Sequence, residues 1–409
     1  MTPGDWTRVE SKCNSAILII TAKFVGPVRN KIDAMAPTLA VPLPPRTTRL
    51  ASIDALRGFD MFWIVGGDGI AASFGKLVKN PIVSSVTTQV SEHVGWIGFR
   101  FYDMIFPLFL FIIGATLPFS IGRRIEEGVS REGVIRKVLV RAAILWLLGM
   151  AYNGVLDFHG WDHVRFVGVL QRQAFGYCVA AILFVTTKPR TQAILFVTIL
   201  LGYWALLALG PVPGFARGNY SEWGNFANYI DRLIFRPGQM YEKYGDPEGL
   251  VSMIPAICTA LLGVFAGRWL KSDKPDKEKV LGLAVAGGVC LALGLAWAPW
   301  FPVIKKIWTS SYVLVAGGFS LELLALFYWA IDMRGWKKWS MPFVVIGMNS
   351  ITIYMASRIV SFGDIAGFFL GGVARALPAE KDLILAIGVV LAEWLFLYYL
   401  YKNRVFLRV

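Results

Sequence analysis

Charged residues are scarce in this 409-residue sequence: Asp, Glu, Lys and Arg make up 17% of it, whereas soluble domains carry about 25%. Histidine and cysteine are rarer still, with three and four copies. The four cysteines form no spaced motif, so the sequence predicts neither a disulfide framework nor a metal site. A phosphate-binding loop, a dinucleotide-binding glycine motif and a nucleophile elbow are also missing from the sequence. These absences exclude several common classes of soluble enzyme.

Apolar residues, by contrast, make up 56% of the chain, and the mean hydropathy is +0.56. They cluster in segments long enough to cross a bilayer as helices, which satisfy their own backbone hydrogen bonds in lipid. We predict an all-α polytopic integral membrane protein, with a poorly defined tail at residues 1–48 and a single transmembrane domain at 49–409. The predicted spans number about ten: 55–72, 102–121, 138–155, 166–186, 191–209, 250–270, 280–299, 312–331, 341–360 and 383–401.

The net charge of +14 is unevenly distributed over the loops between these spans. Alternate loops, counted together with the two tails, carry roughly twice as many Lys and Arg residues as the others. Because basic loops stay on the cytoplasmic side, both termini are predicted to be cytoplasmic. The basic excess is therefore a topology signal, and we predict no nucleic-acid binding.

Several polar residues lie within the predicted spans, where charge is costly and usually faces a cavity or a partner. The first span contains Arg57 and Asp68, the latter among three glycines, and the fourth contains Arg172. Arg57 could equally pair with Asp54 to join helices. Asn349 lies near the middle of the ninth span, where an amide most often hydrogen-bonds a neighbouring helix.

All three histidines lie in loops predicted to face outward. His93 precedes the second span, with Trp96 and Asp103 nearby, and histidine can exchange a proton near neutral pH. A lone loop histidine is more often a solvated side chain, and His159 and His163 give only a weak metal-binding pattern. On these residues alone a transporter is the default interpretation, with Asp68 and Arg172 as its intramembrane charges.

Longer strings in the sequence resemble a known enzyme family. They are RLASIDALRGFDMF, HVGWIGFRFYDMIFPLFLFIIG, WDHVRFVGVLQR, NYIDRL, YGDPEGLVSMIPAICTALLGVFAG, WTSSYVL and GMNSITIY, in that order between about residues 49 and 358. The chain is similar in these strings to the heparan-α-glucosaminide N-acetyltransferases and their bacterial relatives. The resemblance implies transfer of an acetyl group from cytoplasmic acetyl-CoA to the amine of a glucosamine-type sugar on the other side of the membrane. It also suggests a homodimer, and we expect a bacterial inner-membrane protein whose acceptor side is periplasmic.

The resemblance assigns the family's active-site histidine, within its H-x-x-W-x-G motif, to His93. The family commonly carries Asn where this chain has Asp68, which we expect to assist His93 in catalysis. It also often has a histidine where this chain has Ser357 and Arg358. We expect the acceptor to be bound by residues in and near the matching strings, namely Trp96, Asp103, Trp161, Asp162, Arg172, Asn349 and Arg358.

Coenzyme A is large and anionic, so its phosphates should stay at the basic cytoplasmic face, where Arg57 and Ser350 are the predicted donor-binding residues. His93 would act as a general base or would carry the acetyl group transiently, and the sequence does not separate these mechanisms. Asn349, Gln171 or a backbone amide could hold the thioester oxygen. The alternative function is a sugar or anion transporter that kept the fold without the chemistry.

Overall fold

The computed structural model describes residues 50–406, so the predicted tail at 1–48 lies outside the described residues. Every regular element longer than one isolated bridge in the described part is helical, which confirms the all-α prediction. The α-helices, numbered α1 to α15, are Ala51–Phe62, Asp68–Leu77, Pro81–Ser91, Ile105–Glu126, Arg131–Tyr152, Val169–Thr186, Pro189–Leu209, Phe226–Ile234, Met253–Lys271, Asp276–Trp297, Ser310–Phe327, Met341–Met348, Ser350–Ile359, Phe362–Ala376 and Lys381–Lys402.

Seven of the predicted spans are helices long and apolar enough to cross a membrane. Their length and composition are those of an integral membrane protein. An eighth crossing exists if α13 and α14, which meet at an angle of 75°, form one broken span. Helix α5 is also 22 residues long, but it carries Arg136, Lys137 and Arg141 in its first half. The seven apolar spans are Phe101–Glu126, Val169–Thr186, Pro189–Leu209, Met253–Lys271, Asp276–Trp297, Ser310–Met333 and Lys381–Lys402.

Two of the segments expected to be continuous helices are interrupted. The first passes from α1 through a π-helical turn, Trp63–Gly67, into α2, with Gly66 at a φ of 148° that favours glycine. The ninth is divided at Asn349 into α12 and α13. Helix α14 follows as an element that the hydropathy pattern did not predict. Breaks in spanning helices occur where the backbone is buried in protein or lines a cavity.

Glycines set the distance between the most closely packed helices. A Cβ atom at Gly263 of α9 would lie 2.0 Å from the carbonyl oxygen of Phe111 in α4, and one at Gly267 would lie 2.2 Å from that of Ala115. Gly58 of α1 and Gly347 of α12 face each other's backbones in the same way. Small residues allow this approach, which brings van der Waals packing to helices that gain no hydrophobic energy from associating in lipid.

Replacing Gly263 by valine should therefore force α4 and α9 apart. We expect destabilisation by about 1–3 kcal/mol, the usual range for overpacking. The same substitution at Gly288 of α10, where a Cβ would meet nothing within 4 Å, is the matched control. Melting temperatures of the two detergent-purified variants measure the difference, and equal values would contradict the packing described here.

Candidate functional site

A cavity of about 260 Å³ opens beside the His93 loop and extends between the helices. We call the part lined by the partly exposed side chains of His93, Lys305 and Glu248 its mouth; most of the other lining residues are apolar, and Met61 and Phe109 among them are buried. The cavity therefore joins a titratable cluster to a slot suited to a thin, weakly polar chain. The remaining lining residues are Met61, Ile64, Tyr102, Ile105, Phe106, Phe109, Tyr152, Val169, Leu170, Gln173, Ile351 and Tyr354.

His93 is hydrogen-bonded to a buried carboxylate. Its Nδ1 lies 2.9 Å from Oδ1 of Asp103, whose side chain is 1% exposed, while the His93 side chain is about half exposed. The other Asp103 oxygen accepts hydrogen bonds from the backbone N–H groups of Val94 and Arg100. Because a carboxylate only accepts, Nδ1 carries the proton and Nε2 is left with a lone pair. This arrangement makes Nε2 the nitrogen that can accept a proton from a ligand.

Asp68 reaches His93 only through a tyrosine. Oδ2 of Asp68 accepts a hydrogen bond of 2.9 Å from the Tyr102 hydroxyl, and the Tyr102 ring stacks on the imidazole with 4.6 Å between ring centroids. The carboxylate hydrogen-bonded to the imidazole is thus Asp103. Asp68 instead holds the ring on which His93 rests.

A second loop brings a lysine to the same imidazole. Nζ of Lys305 lies 2.9 Å from Nδ1 and 3.2 Å from Nε2 of His93, and 3.4 Å from Oδ1 of Asp103. The two loops are joined by the N–H of Gly98, which donates to the carbonyl of Val303 at 2.9 Å. Gly98 has a φ of 125°, so the glycine of the H-x-x-W-x-G motif is needed for this backbone turn.

The other polar group at the cavity mouth is Glu248, which is held by Arg165. The Arg165 guanidinium donates to Glu248 at 2.6 Å and makes two hydrogen bonds, of 2.6 and 2.7 Å, with Asp246. Burial alone would lower the pKa of Arg165, but the two carboxylates raise it above its ordinary value. The segment Asp246–Gly249, which we call the DPEG segment, is thereby fixed to the loop before α6.

Asp231 of α8 accepts hydrogen bonds from the backbone in and beside the DPEG segment. Its carboxyl group is 1% exposed and accepts backbone hydrogen bonds from Leu250 at 3.1 Å and Asp246 at 3.4 Å. Gly249 passes so close that a Cβ there would lie 1.8 Å from Oδ2 of Asp231. Burial raises the pKa of Asp231 to about 7, against the lowering effect of the two backbone donors.

Two residues expected to bind the acceptor have structural partners. The Trp96 indole N–H donates to the carbonyl of Tyr220 at 2.8 Å, tying the His93 loop to the long loop that follows α7. Arg172 is fully buried and donates to the carbonyl of Pro247 and to the Ser252 hydroxyl, with its guanidinium 4.4 Å from the Trp308 ring centroid. Neither residue lines the cavity, so each supports the loops around it.

Trp161 and Asp162 lie on the exposed surface of the loop before α6. The Trp161 side chain is exposed and packs edge-on against Phe158, while Asp162 forms an ion pair with Arg236. Arg358 is also exposed, in the last turn of α13. The structure therefore places these three residues away from the cavity lining.

The predicted donor-binding residues do not line the cavity themselves but are close in sequence to residues that do. Arg57 is one helical turn before the lining residue Met61, and it donates to the carbonyl of Gly347 at 2.7 Å and to Asp54 at 2.5 Å. Asn349 is buried and donates to the carbonyl of Val405. Ser350 immediately precedes the lining residue Ile351. Both polar residues thus stand at the break between α12 and α13.

The sequence-based prediction missed six polar lining residues, namely Tyr102, Tyr152, Gln173, Glu248, Lys305 and Tyr354. Tyr102 and Glu248 lie within strings that carry the family resemblance, so motif membership was an available signal. Lys305 lies three residues before the start of WTSSYVL and was counted only as part of the loop charge. No group of three His, Cys, Asp or Glu side chains within residues 50–406 is placed to hold a metal ion.

The fold and the site define an all-helical protein with several potential membrane spans and a His–Asp pair at the mouth of a cavity between its helices. No protein-family model matches the sequence. The human heparan-alpha-glucosaminide N-acetyltransferase is 28% identical over 429 aligned positions, covering 90% of this chain and 60% of the human protein. The mouse protein of the same name is 28% identical over 376 positions, covering 78% of this chain and 56% of that protein.

These matches extend over most of this chain and support its membership of the heparan-alpha-glucosaminide N-acetyltransferase family. The chain spans about 60% of the length of the human relative. Both relatives are named as N-acetyltransferases of a glucosaminide. The most specific strings in the resemblance contain His93, Asp103 and the DPEG segment, which the structure gathers around one cavity.

Because the Asp231 carboxyl group is buried, we predict that the free energy of unfolding depends on pH. With its pKa raised to about 7 from an ordinary 3.8, the folded state retains a proton that the unfolded state has lost. Between these values stability should fall as pH rises, so we expect the melting temperature to decrease from pH 5 to pH 8. Asp231→Asn should flatten this dependence. Asp157→Asn, at an exposed loop position, is the control, and a parallel profile in both variants would refute the role of Asp231.

Proposed function

We propose that this protein is a transmembrane acetyltransferase that moves an acetyl group from cytoplasmic acetyl-CoA to the amine of a glucosamine-type sugar on the opposite side. The observation that carries the proposal is the shared cavity. It has a hydrogen-bonded His93–Asp103 pair at its polar mouth and an apolar wall that includes Met61, one helical turn from Arg57. The names of the human and mouse relatives support the same reaction class.

In this proposal His93 acts as the general base. Nε2 takes a proton from the acceptor ammonium, and the resulting amine attacks the thioester carbonyl. The carbon–sulfur bond breaks, the amide bond forms, and the leaving thiolate receives a proton. Asp103 keeps the imidazole in the required tautomer and orientation, as a buried carboxylate does for other catalytic histidines. Transient acetylation of His93 is the competing sequence of steps.

The donor would enter from the end of the cavity near Arg57. The apolar side chains of Met61, Ile64 and Phe109 would line the pantetheine arm, and Ser350 stands beside the same slot. Arg57 keeps about a fifth of its side chain exposed although it pairs with Asp54. A phosphate at this position would share the guanidinium with Asp54, and the basic loops would supply further charge.

The acceptor would bind at the polar mouth. An ammonium group is favoured there by Glu248 and, beyond Tyr102, by Asp68. Gln173 lines the same cavity and could donate to the thioester oxygen, whereas Asn349 and Gln171 are not among its lining residues. Trp161, Asp162 and Arg358 would then contact parts of a glycan that extend outside the cavity. Arg172 would act by positioning Pro247 and Ser252.

The finer membrane arrangement is also part of the proposal. We place about ten crossings in the bilayer, with both termini cytoplasmic and the His93 loop outside, in agreement with the distribution of basic residues. A homodimer in a bacterial inner membrane, with a periplasmic acceptor side, completes the proposal. Nucleic acid and metal ions have no part in it.

A transporter is the second candidate, and the broken helices favour it. Interruptions at Gly66 and at Asn349 both lie beside cavity-lining residues, and discontinuous helices often surround transport sites. The His93–Asp103 pair supports the acetyltransferase over a carrier that moves no protons, because such a carrier needs no oriented general base.

Replacing His93 by alanine should abolish acetyl transfer and leave acetyl-CoA binding largely intact, since the donor contacts lie mostly deeper in the cavity. A loss of about 10²–10⁴-fold is typical for a missing general base. The assay is radiolabelled acetyl transfer to a panel of amino sugars, run beside donor-dependent thermal stabilisation of the same preparations.

His159→Ala is the matched control, because His159 is an exposed loop histidine. Turnover equal to that of the parent in the His93 variant would remove His93 from the mechanism. A parent protein that binds acetyl-CoA but acetylates none of the amines would refute the N-acetyltransferase proposal.

The membrane orientation can be tested with single cysteines. We expect Ser85→Cys in α3 and Ser130→Cys before α5 to react with an impermeant maleimide from opposite sides, in a background without the four native cysteines. Ser85 and Ser130 are both exposed. Labelling of both from the same side would contradict the proposed sidedness and the transmembrane reaction.

A further inference from the structure

The Lys305 ammonium lies within hydrogen-bonding distance of the His93 ring. Its side chain is 21% exposed, it lines the cavity, and its Nζ is within 3.2 Å of both ring nitrogens. Because Nδ1 donates to Asp103, the ammonium can donate only to Nε2 or to the Asp103 carboxylate. A neutral imidazole accepts this hydrogen bond, whereas an imidazolium cannot accept it and is repelled by the charge.

The loop that carries Lys305 is held at several points. Val303 accepts from Gly98, Tyr203 donates to the carbonyl of Ile307 at 2.6 Å, and the hydroxyl of Thr309 donates to the carbonyl of Pro302 at 2.8 Å. Ile307 is fully buried. The position of the ammonium therefore follows from the packing of its loop.

The adjacent lysine has a different environment. Lys306 donates to the Tyr244 hydroxyl at 2.6 Å and to Glu242 at 3.2 Å, away from the imidazole. Burial lowers the pKa of Lys305 despite the opposing charges of Asp103 and Glu248, whereas Tyr244 and Glu242 raise that of Lys306 in spite of its burial. The two neighbours thus provide a matched pair for experiment.

Other charged or titratable groups also face His93. Tyr102 stacks on the imidazole and donates a hydrogen bond to Asp68. Arg100 pairs with Glu92 and donates to the His93 carbonyl. Glu248, which is paired with Arg165, also lines the cavity mouth. Of the cationic side chains within residues 50–406, Lys305 is the one whose hydrogen bonds reach the ring nitrogens of His93.

We propose that Lys305 is a positioning residue of this site, whose ammonium holds the imidazole against Asp103 and opposes its protonation. This inference rests on the proposed function of His93 as a base. The base must be unprotonated before it can take a proton from the acceptor, so Lys305 extends activity towards lower pH. When the acceptor ammonium approaches Nε2, the Lys305 ammonium gives up its contact with Nε2 and stays paired with the Asp103 carboxylate.

The kinetic test compares wild type with Lys305→Met, Lys305→Arg and Lys306→Met over a range of pH. Loss of the ammonium should move the acid limb of the kcat profile to higher pH by about one unit or more, within the usual range for a neighbouring charge. It should lower kcat with little change in KM for acetyl-CoA. The arginine variant should restore the position of the limb, and Lys306→Met should resemble wild type.

A second measurement does not depend on activity. The chain has three histidines, so a sample labelled with ¹³C at histidine Cε1 gives few signals, and His93→Ala identifies the one of interest. In Lys305→Met the ring should titrate at higher pH than in wild type, and Lys306→Met should leave it unchanged. Lys305→Gln gives the same comparison if the methionine variant is not monodisperse.

An unchanged titration in the Lys305 variants overturns the inference, whatever their activity. An inactive parent whose His93 titration still moves in Lys305→Met supports the inference and refutes the proposed function instead. Equal shifts in the Lys305 and Lys306 variants would show a general charge effect and would also overturn the specific role of Lys305.

Discussion

The buried carboxylate of Asp103 is the contact on which the site depends. It accepts from two backbone N–H groups of the loop before it and from the His93 ring, and it lies 3.4 Å from Lys305. A carboxylate that is 1% exposed is stable only when such partners surround it. The same requirement that makes this loop fold therefore orients the imidazole towards the cavity.

The DPEG segment forms the opposite side of the cavity mouth by a related principle. Asp246 and Glu248 share Arg165, Asp231 receives the backbone of the segment, and Arg172 holds Pro247 from within the helices. Each buried charge is matched by a partner from another part of the chain. We infer that these contacts keep Glu248 at the mouth, where the proposed acceptor would bind.

The all-helical prediction was confirmed within residues 50–406, where seven helices are long and apolar enough to cross a membrane, because long apolar runs have few other ways to satisfy their backbones in lipid. Continuity within a span was harder to predict: Gly66 and Asn349 interrupt mostly apolar runs that satisfy the length requirement for a span. His93 and Asp103 were both selected, since they lie in one motif only ten residues apart. The role of Asp103 as the imidazole's partner, with Asp68 bound to the stacked Tyr102, is decided by the tertiary structure.

Local sequence thus determined the seven long apolar helices, the motif glycine at position 98 and the proximity of His93 to Asp103, because each depends on neighbours along the chain. Tertiary structure alone decided that Lys305 meets the imidazole from 212 residues away and that Arg172 serves the DPEG segment. Lys305 and Lys306 are adjacent residues of the same type, so the sequence alone does not distinguish their contacts. The direction of each side chain follows from how its loop packs against the His93 loop and against Tyr244, and local patterns carry no information about such long-range contacts.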